Sequence, residues 1–427
     1  MLDIKFIKDN QGIVAKAITD KNREPVDLEQ VIKLYDWRKR LRSDIDQLNR
    51  RRAEAAAARN IDLGRQCKEE AADKEEELRR IEKEFMALMV QIPNIPSPDT
   101  PIGPDESANQ VIRTVGDKPT FDFSPKAHWD LGRELGLIDS EKGAMVAGSR
   151  FTYLKGDLVL LQFALIQLAL GVLTNRDKIE AIAATANLDI STRPFVPVIP
   201  PAMLTGPVLN RMARLEPKDD KYYIEKDELF LAGSAEHTVG ALHMDEILEL
   251  EKLPLRYLGY STAFRREAGS YGKDTKGILR MHQFDKLEMQ SFTSPENGLA
   301  EQDLMVAIQE HLMQALELPY QVVMVCTGDM GFPDQRQIDI ETWMPGQDTY
   351  RETHSADFIG SFQPRRLNTK VRQQSGRPEY VHMNDATAFA IGRTLIAIME
   401  NYQQADGTIA IPKVLQPLVG KDIISAR

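Results

Sequence analysis

The sequence predicts an α+β fold, in which an antiparallel β-sheet flanked by helices follows an N-terminal antiparallel two-helix coiled-coil arm. Two observations lead to this prediction. Residues 28–91 are rich in Ala, Glu, Lys and Arg, with apolar residues at helical spacing. Beyond residue 109, short apolar runs alternate with turn residues, and several neighbouring runs are separated by short loops rather than by helix-length segments.

The arm is predicted as two long helices, from Leu28 to about Arg59 and from about Arg65 to Gln91, because neither run contains an internal proline. Residues 60–64, "NIDLG", are predicted to form the turn. About 30 residues at a rise of 1.5 Å make each helix roughly 45 Å long. The apolar positions are Val31, Leu34, Leu41, Ile45 and Leu48 in the first helix and Leu78, Ile81, Phe85, Leu88 and Ile92 in the second.

The first helix of the arm is strongly basic, with nine Lys and Arg against four Asp and Glu between residues 33 and 59. Two interpretations remain open. These side chains form an ordinary solvated helix surface, or they form a basic face that contacts the backbone of a nucleic acid.

A proline-rich segment separates the arm from the rest of the chain, with prolines at 93, 96, 98, 101 and 104. Such a segment is neither helix nor central strand. We therefore expect an N-terminal domain at residues 1–92, an extended linker at 93–108 and a second domain at 109–427.

Strands and helices are predicted throughout the second domain. The helices with the clearest pattern are 299–316 and 387–403. The candidate strands lie within residues 153–161, 195–201, 229–237, 261–267, 277–289, 320–328, 337–344 and 352–362.

Composition excludes several classes of protein. The net charge of -10 does not suggest a general nucleic-acid binder, so we expect no DNA partner, and any polyanion site is local. The cysteines, Cys67 and Cys326, form neither a disulfide framework nor a zinc cluster. The N-terminus has no long apolar run, and the longest apolar stretch (158–173) is too short for a membrane span. We expect a cytoplasmic protein with no membrane partner.

Residues 264–288, "FRREAGSYGKDTKGILRMHQFDKLE", contain the chemically most informative pattern. Two strands joined by a Gly- and Lys-containing loop would place alternate side chains on one face: Arg265 with Glu267, and Arg280 with His282 and Phe284. Such a face offers guanidinium groups for phosphate, a carboxylate for an amino group and an aromatic ring for a base. A salt-bridged sheet surface is the alternative. His282 is predicted to be a hydrogen-bonded scaffold residue.

This segment resembles the second motif of class II aminoacyl-tRNA synthetases, and residues 388–401, "AFAIGRTLIAIMEN", resemble the third. The resemblance to bacterial-type seryl-tRNA synthetases extends over nearly the whole chain and includes "HWDLGRELGLID", "FVPVIPPAMLTG", "AGSAEHT" and "DIETWMPGQDTYRETHS". It implies a class II catalytic domain and a ligase. Such an enzyme activates L-serine with ATP and Mg²⁺ and then charges tRNA(Ser), with tRNA(Sec) left open as a second acceptor.

The resemblance also implies roles for individual residues. The family assigns catalytic roles to Arg265 and Arg393 and a Mg²⁺ site to Glu352 and Ser355. The ATP site would comprise Arg265, Arg266, Glu267, Arg280, Phe284, Glu352, Thr353, His354, Ser355 and Arg393. The serine site would comprise Ser234, Ala235, Glu236, Arg265, Glu288 and Thr387. The tRNA contacts would be Arg50, Arg51, Arg52, Lys273 and Lys276. A homodimer interface would include Pro200 or Pro201.

The chain departs from the family pattern near the amino-acid site. Ser234 replaces the usual Thr of a Thr-Ala-Glu motif, Asp385 replaces an Asn, and residues 356–361 lack the usual Cys-Ser-Asn string. Two further hypotheses therefore stay open beside serine–tRNA ligation. One is a paralogue that uses the same adenylate chemistry on another amino acid or acceptor, and the other is a non-catalytic tRNA-binding paralogue.

Overall fold

The structure is a computed structural model that describes residues 1–268, 274, 276–373 and 376–426. The chain divides into two compact units, Met1–Pro96 and Ser97–Arg427. Among the described residues no single helix combines the length and apolarity of a membrane span. One pair of helices bent by 79°, Asp157–Leu173 and Arg176–Thr185, passes that test by length and composition alone.

The first unit contains four helices: α1 (Ile4–Asp9), α2 (Gln11–Asp20), α3 (Leu28–Ala57) and α4 (Ile61–Met89). The two long helices, α3 and α4, form the predicted antiparallel arm. Both helices begin with a side-chain N-cap: Asp27 accepts a hydrogen bond from Gln30 N–H, and Asn60 accepts one from Leu63 N–H. The turn is therefore Ala58–Asn60, and the prediction of a turn at 60–64 placed the start of α4 too late.

The buried face of the arm follows the predicted periodicity in α3, where all five predicted apolar positions are buried. In α4, Ile81 and Phe85 are buried but Leu78 and Leu88 are only half-buried. The smaller Cys67 and Ala71 are buried instead. Near the turn the two helices contact each other through Leu48 and these two small residues. The sequence prediction considered large apolar residues and therefore did not include Cys67 and Ala71.

The second unit contains ten helices within its described residues. They are α5 (His128–Glu134), α6 (Ser140–Ala147), α7 (Asp157–Leu173), α8 (Arg176–Thr185), α9 (Gly206–Arg211), α10 (Glu236–Val239), α11 (Gly298–Ala315), α12 (Phe362–Leu367), α13 (Ile391–Asn401) and α14 (Gln416–Val419).

The described strands of this unit are mostly short, and the long ones belong to one sheet. They are β1 (Gln110–Val115), β2 (Ile138–Asp139), β3 (Tyr153–Leu154), β4 (Val196–Val198), β5 (Met203–Thr205), β6 (Tyr223–Ile224), β7 (Leu229–Leu231), β8 (Ile247–Glu249), β9 (Leu255–Phe264), β10 (Gln283–Thr293), β11 (Tyr320–Met324), β12 (Arg336–Met344), β13 (Thr349–Gly360), β14 (Lys370–Arg372), β15 (Pro378–Tyr380), β16 (His382–Ala390), β17 (Ile409–Ala410) and β18 (Ile423–Ile424).

The main sheet has eight strands in the spatial order β1-β11-β12-β13-β16-β10-β9-β4. Every neighbouring pair is antiparallel except β4 and β9 at one edge. Helices α7, α11 and α13 contribute to the large apolar core that also contains residues of the sheet. The predicted α+β class with an antiparallel sheet is confirmed.

Several predicted boundaries are wrong. The strands around the 264–288 motif pair as a hairpin, but β9 ends at Phe264 and β10 begins at Gln283. Residues 382–390 form the central strand β16, so the predicted helix 387–403 begins only at Ile391. Of residues 153–161 and 229–237, only the first few are strand, and each segment then enters a helix.

The proline-rich segment is not a free linker beyond residue 96. Ser97 N–H donates to the Gln335 carbonyl at 2.7 Å, and Thr100 Oγ1 donates to the same oxygen at 3.2 Å. Further along, Gly103 accepts from Gly328 N–H at 2.9 Å. From Ser97 onward this segment is part of the second unit, and it is not extended throughout, since it contains a turn at 98–100 and a 3-10 helix at Glu106–Ala108.

Candidate active site

A cavity of about 440 Å³ opens on the main sheet where β9, β10, β13 and β16 meet the start of α13. Predicted ATP and serine residues from β10, β13, β16, α10 and α13, and from the segment between β9 and β10, line it. They are Glu236, Arg265, Glu267, Arg280, Phe284, Glu352, Thr353, Ser355, Thr387 and Arg393. Residues more than 150 positions apart in the sequence therefore converge on one concave site.

Arg265 follows directly after β9 and is held from both sides. Its backbone N–H donates to the His282 carbonyl at 3.1 Å, and His282 Nδ1 lies 2.9 Å from the Arg265 carbonyl oxygen. Its side-chain Nε donates to the Gly233 carbonyl at 3.0 Å. The guanidinium carbon lies 5.4 Å from the centroid of the Phe284 ring. These contacts place a fixed positive charge beside an aromatic face, as phosphate and base recognition require.

Arg280 and Glu267 meet across the hairpin, although both lie outside its strands. Arg280 Nη1 donates to Glu267 Oε2 at 3.4 Å, and its Nε donates to Asp274 at 3.0 Å. Glu267 has φ of +54°, which turns the chain after β9. The backbone turn, rather than strand alternation, brings these two side chains together.

Arg393 lies in the first turn of α13 and reaches back to β13. Its Nη1 lies 3.1 Å from Glu352 Oε1 and also donates to the Glu352 carbonyl at 2.9 Å. Burial would raise the pKa of Glu352, but the Arg393 charge outweighs it and holds the pKa below its usual value. The Glu352 side chain is still 49% exposed, because the concave site admits water.

A bulge in β13 controls which of its side chains reach the cavity. The register with β12 shifts between Ile340 and Glu341, so one extra residue lies between Glu352 and His354. As a result Glu352, Thr353 and Ser355 all line the cavity. His354 is fully buried, contacts the Ala388 carbonyl at 3.1 Å and lies outside the cavity lining.

The residues expected to hold Mg²⁺ fit a hard cation. Glu352 and Ser355 offer oxygen donors, which Mg²⁺ prefers, and leave room for phosphate oxygens to complete its shell. Asp339 lies opposite Ser355 in the β12–β13 register. Burial and the nearby Glu352 carboxylate hold the pKa of Asp339 well above its usual range, a crowding of negative charge that a cation would relieve.

The floor beside the cavity is formed by β10 and the segment before α10. Lys286 Nζ lies 2.5 Å from Glu288 Oε2 and 3.5 Å from Ser234 Oγ, and Ser234 Oγ donates to Glu288 at 3.4 Å. Glu288 pairs with Thr387 in the β10–β16 register. Burial raises the pKa of Glu288 to about 7, against the opposing charge of Lys286. Ser234, Ala235 and Glu288 are buried behind the cavity lining.

The sequence prediction missed several charged residues that line the cavity: Arg214, Asp220, Asp329, Asp334 and Asp357. Arg214, in the loop after α9, lies 3.1 Å from Glu236 and 3.8 Å from Asp385. Burial alone would raise the pKa of Glu236, yet the Arg214 charge outweighs it and lowers that pKa to about 2. The segment "RMARLEP" (211–217) carries no recognisable motif, so only the fold reveals this contact.

The chain matches known proteins along its whole length. A model of the tRNA synthetase class II core domain (G, H, P, S and T) matches residues 220–402, and a model of the seryl-tRNA synthetase N-terminal domain matches residues 1–96. The serine–tRNA ligases of Fervidobacterium nodosum and Petrotoga mobilis are 38% and 37% identical to it, and each match covers 99% of this chain and 99% or 100% of the relative. The chain belongs to the seryl-tRNA synthetase family.

A solved structure agrees with this placement. The seryl-tRNA synthetase from Pyrococcus horikoshii, complexed with ATP, superposes with a TM-score of 0.87 at 34% identity, covering 100% of both chains. The complete fold of the family, arm included, is therefore present here.

Besides His354, three residues expected to contact nucleotides in this family lie apart from the cavity or outside the described residues. Arg266 lines a separate cavity, and its guanidinium carbon lies 5.6 Å from the centroid of the Tyr222 ring. Lys276 is exposed and lines a small pocket with Trp129. Lys273 lies outside the described residues.

The three arginines expected to contact tRNA lie on the outer surface of the family's helical arm. Arg50, Arg51 and Arg52 are all exposed, and within the described part of the chain none forms an ion pair. Glu69 pairs instead with Arg65, and Glu70 accepts from Gln66. Among the described residues, these arginines therefore form no ion pair with the acidic residues of α4.

Proposed function

We propose that this protein is a serine–tRNA ligase, which forms seryl-adenylate from L-serine and ATP and then transfers serine to the 3′ end of tRNA(Ser). The observation that carries the proposal is the convergence of Arg265, Phe284, Glu352 and Arg393 around one cavity, with the hydrogen-bonded Ser234 and Glu288 buried behind its lining. The membership of the family supports the same conclusion over the full chain.

The first step requires alignment and charge neutralisation rather than an acid–base residue. The serine carboxylate attacks the α-phosphorus of ATP in line, and pyrophosphate leaves. Arg265 would bind the α-phosphate and the substrate carboxylate, with Phe284 stacking on adenine and Glu267 accepting from its amino group. Arg393 and Arg280 would bind the γ-phosphate. Glu352 and Ser355 would hold Mg²⁺, which would neutralise the phosphate charge.

Recognition of serine would use the buried polar floor. Glu236 remains ionised at neutral pH and would accept from the substrate ammonium group. Glu288 and Thr387, which face each other across two strands, would bind the hydroxyl. In the second step, the ribose hydroxyl of the tRNA attacks the adenylate carbonyl and AMP leaves.

The partners follow from the arm and from the surface near β4. The exposed Arg50, Arg51 and Arg52 would bind tRNA phosphates, with tRNA(Sec) as a second candidate acceptor.

We expect the homodimer interface at Pro200 and Pro201, because apolar surface is exposed beside them by Val196, Ile199 and Met203. We expect the enzyme in the cytoplasm, with its ATP and tRNA.

Magnesium-dependent ATP–pyrophosphate exchange with each of the twenty amino acids tests this function. Serine alone should drive exchange, and alanine should be rejected strongly because it leaves the buried polar groups of the floor without a partner. Preference for another amino acid would favour a paralogue of altered specificity. Absence of exchange with all twenty would favour a non-catalytic protein.

A further inference from the structure

Arg214 occupies a half-buried position that no known motif of the chain explains. Its backbone N–H donates to the Leu209 carbonyl, which fixes the loop after α9. Its side chain is 19% exposed and lies among carboxyl groups from α10, from β16 and from the loop between β11 and β12. The nearest oxygens belong to Glu236 at 3.1 Å, Asp385 at 3.8 Å and Asp334 at 4.0 Å.

The strands beside Arg214 carry an unusual pair of acids. Asp357 of β13 and Asp385 of β16 lie directly opposite each other in the register of these strands. Like charges in that position destabilise a sheet. Both residues are buried, and Oδ2 of Asp385 accepts no hydrogen bond from the described residues. Burial and the neighbouring carboxyl groups hold the pKa of both acids well above the usual range, and Arg214, 3.8 Å from Asp385, is the nearest cation that the structure describes.

Arg214 also acts on the substrate side. It lines the cavity together with Glu236, whereas Asp385 does not line it. The Arg214 Nε–Glu236 contact is short enough for an ion pair, although its angle is not that of a hydrogen bond. The attraction is therefore mainly electrostatic, and it acts between two groups that are both largely removed from water.

We propose that Arg214 is the positioning residue of the amino-acid pocket: it orients the Glu236 carboxylate toward the substrate ammonium group, and Asp385 supports Arg214 rather than contacting the substrate. This inference rests on the proposed activation of an amino acid at Glu236. It also bears on the departure at Asp385, since the added carboxyl group lies 3.8 Å from the Arg214 guanidinium.

Kinetics of pyrophosphate exchange with four variants test the proposal: Arg214→Gln, Arg214→Lys, Asp385→Asn and the double variant R214Q/D385N. Arg214→Gln should raise KM for serine ~10- to 100-fold, the range of coupling between contacting charged residues, while KM for ATP changes less than about twofold. Arg214→Lys should recover part of the loss because it restores the charge. Asp385→Asn alone should have a small effect, and the double variant should bind serine better than Arg214→Gln.

Arg211→Gln is the matched control. Arg211 lies three residues earlier and pairs with Asp245 at 2.8 Å outside the cavity, so its loss reports only a general effect on the fold. If Asp385→Asn raises KM for serine as much as Arg214→Gln, or if the double variant recovers nothing, Asp385 contacts the substrate and the proposal is wrong. An equal rise in KM for ATP would show a merely structural role and would also overturn it.

The wild-type protein separates this inference from the proposed function. If it activates an amino acid other than serine, the proposed function is wrong, and the same variants are measured with that amino acid. An unchanged KM for it in Arg214→Gln would then overturn the role of Arg214 by itself. A wild-type protein that activates no amino acid contradicts both.

Discussion

Arg393 joins helix α13 to strand β13 through Glu352, with two contacts from the same nitrogen atom. Nη1 lies 3.1 Å from the Glu352 carboxylate and 2.9 Å from its carbonyl oxygen. The guanidinium orients the carboxylate, and the carboxylate keeps the guanidinium at the cavity. Both charges are thus preorganised before a substrate binds, which is the condition under which charge contributes most to catalysis.

We expect Arg393→Ala and Glu352→Ala each to reduce serine-dependent pyrophosphate exchange by about 10²–10³-fold, the typical effect of removing one preorganised group that stabilises developing charge. The fold should survive, since both side chains lie at a solvent-filled cavity. Arg372→Ala, on the exposed part of β14, is the control for removal of a surface arginine. Near-normal exchange in either variant would remove that residue from the ATP site.

Binding of serine should depend on pH through Glu288. Its pKa of about 7 means that the carboxyl is half-protonated near neutrality, with Lys286, Glu236 and Arg265 as its charged neighbours. An ionised Glu288 is the better acceptor for the serine hydroxyl, so KM for serine should rise as pH falls below about 7. Glu288→Gln should weaken binding and remove this pH dependence.

The same group predicts the sign of a stability change. Burial raises the pKa of Glu288 in the folded protein, so the folded state binds more protons than the unfolded state between about pH 4.5 and 7. The contribution of Glu288 to the free energy of unfolding should therefore fall as pH rises through this range. Denaturant melts at pH 5 and pH 8 test this. Relative to wild type, Glu288→Gln should increase the free energy of unfolding more at pH 8 than at pH 5.

Local pattern predicted the arm well and the central sheet less well. Leu41, Ile45 and Leu48 repeat at helical spacing. In the arm, α3 packs along its length against a single helix, α4, so this local spacing is enough to predict its buried face. Part of strand β16 was instead predicted as helix, because the alanine-containing "TAFA" (387–390) runs directly into the amphipathic α13. Its pairing with β10 and β13, which is not local, decides its structure.

In the site too, contacts between residues far apart in the sequence could not be predicted from local pattern. The resemblance located the arginines and carboxylates at the cavity, and nine ATP-site residues lie close together in two short segments. Arg214 could not be found this way, because Asp334 and Asp385 approach it from more than 100 residues away in the sequence. The sequence marked Asp385 as a departure, but only the fold shows which charge offsets it.

Gln309 of α11 supports the site from behind the sheet. Its Nε2 donates to the carbonyls of Ser355 and Thr387, each at 2.8 Å, just beyond the last paired residues of β13 and β16. Gln309→Leu should leave both carbonyls without this donor and lower the free energy of unfolding by about 2–4 kcal/mol. It should also impair exchange, since Ser355 and Thr387 would shift.

Gln302→Leu is the matched control for this prediction. Gln302 lies two turns earlier on the same helix and donates to the carbonyls of Ala356 and Arg336, at 2.8 and 3.0 Å. In urea melts, Gln302→Leu should lower the free energy of unfolding about as much as Gln309→Leu does. It should reduce the rate of pyrophosphate exchange less. Equal losses of exchange in the two variants would mean that Gln309 has no specific role in the site.

The arm should serve tRNA binding and not adenylate formation. Arg50, Arg51 and Arg52 are exposed and without ion pairs among the described residues, so their charges are available to phosphates. Changing all three to Gln should leave pyrophosphate exchange unchanged and raise KM for tRNA in aminoacylation. The slope of log affinity against log salt should become shallower by up to about 0.9 for each phosphate that the variant no longer binds, or about 0.7 for single-stranded RNA.

The control for this triple variant removes the same charge from the other helix of the arm, by changing Arg65, Arg79 and Arg80 of α4 to Gln. Two of these arginines already pair with acidic residues of their own helix, Arg65 with Glu69 and Arg80 with Glu84, so their charges are less available to phosphates. The control should therefore shift the salt slope less than the α3 variant does. If the two triple variants shift the slope equally, the effect is general electrostatic attraction, and the specific tRNA contact lies elsewhere on the arm.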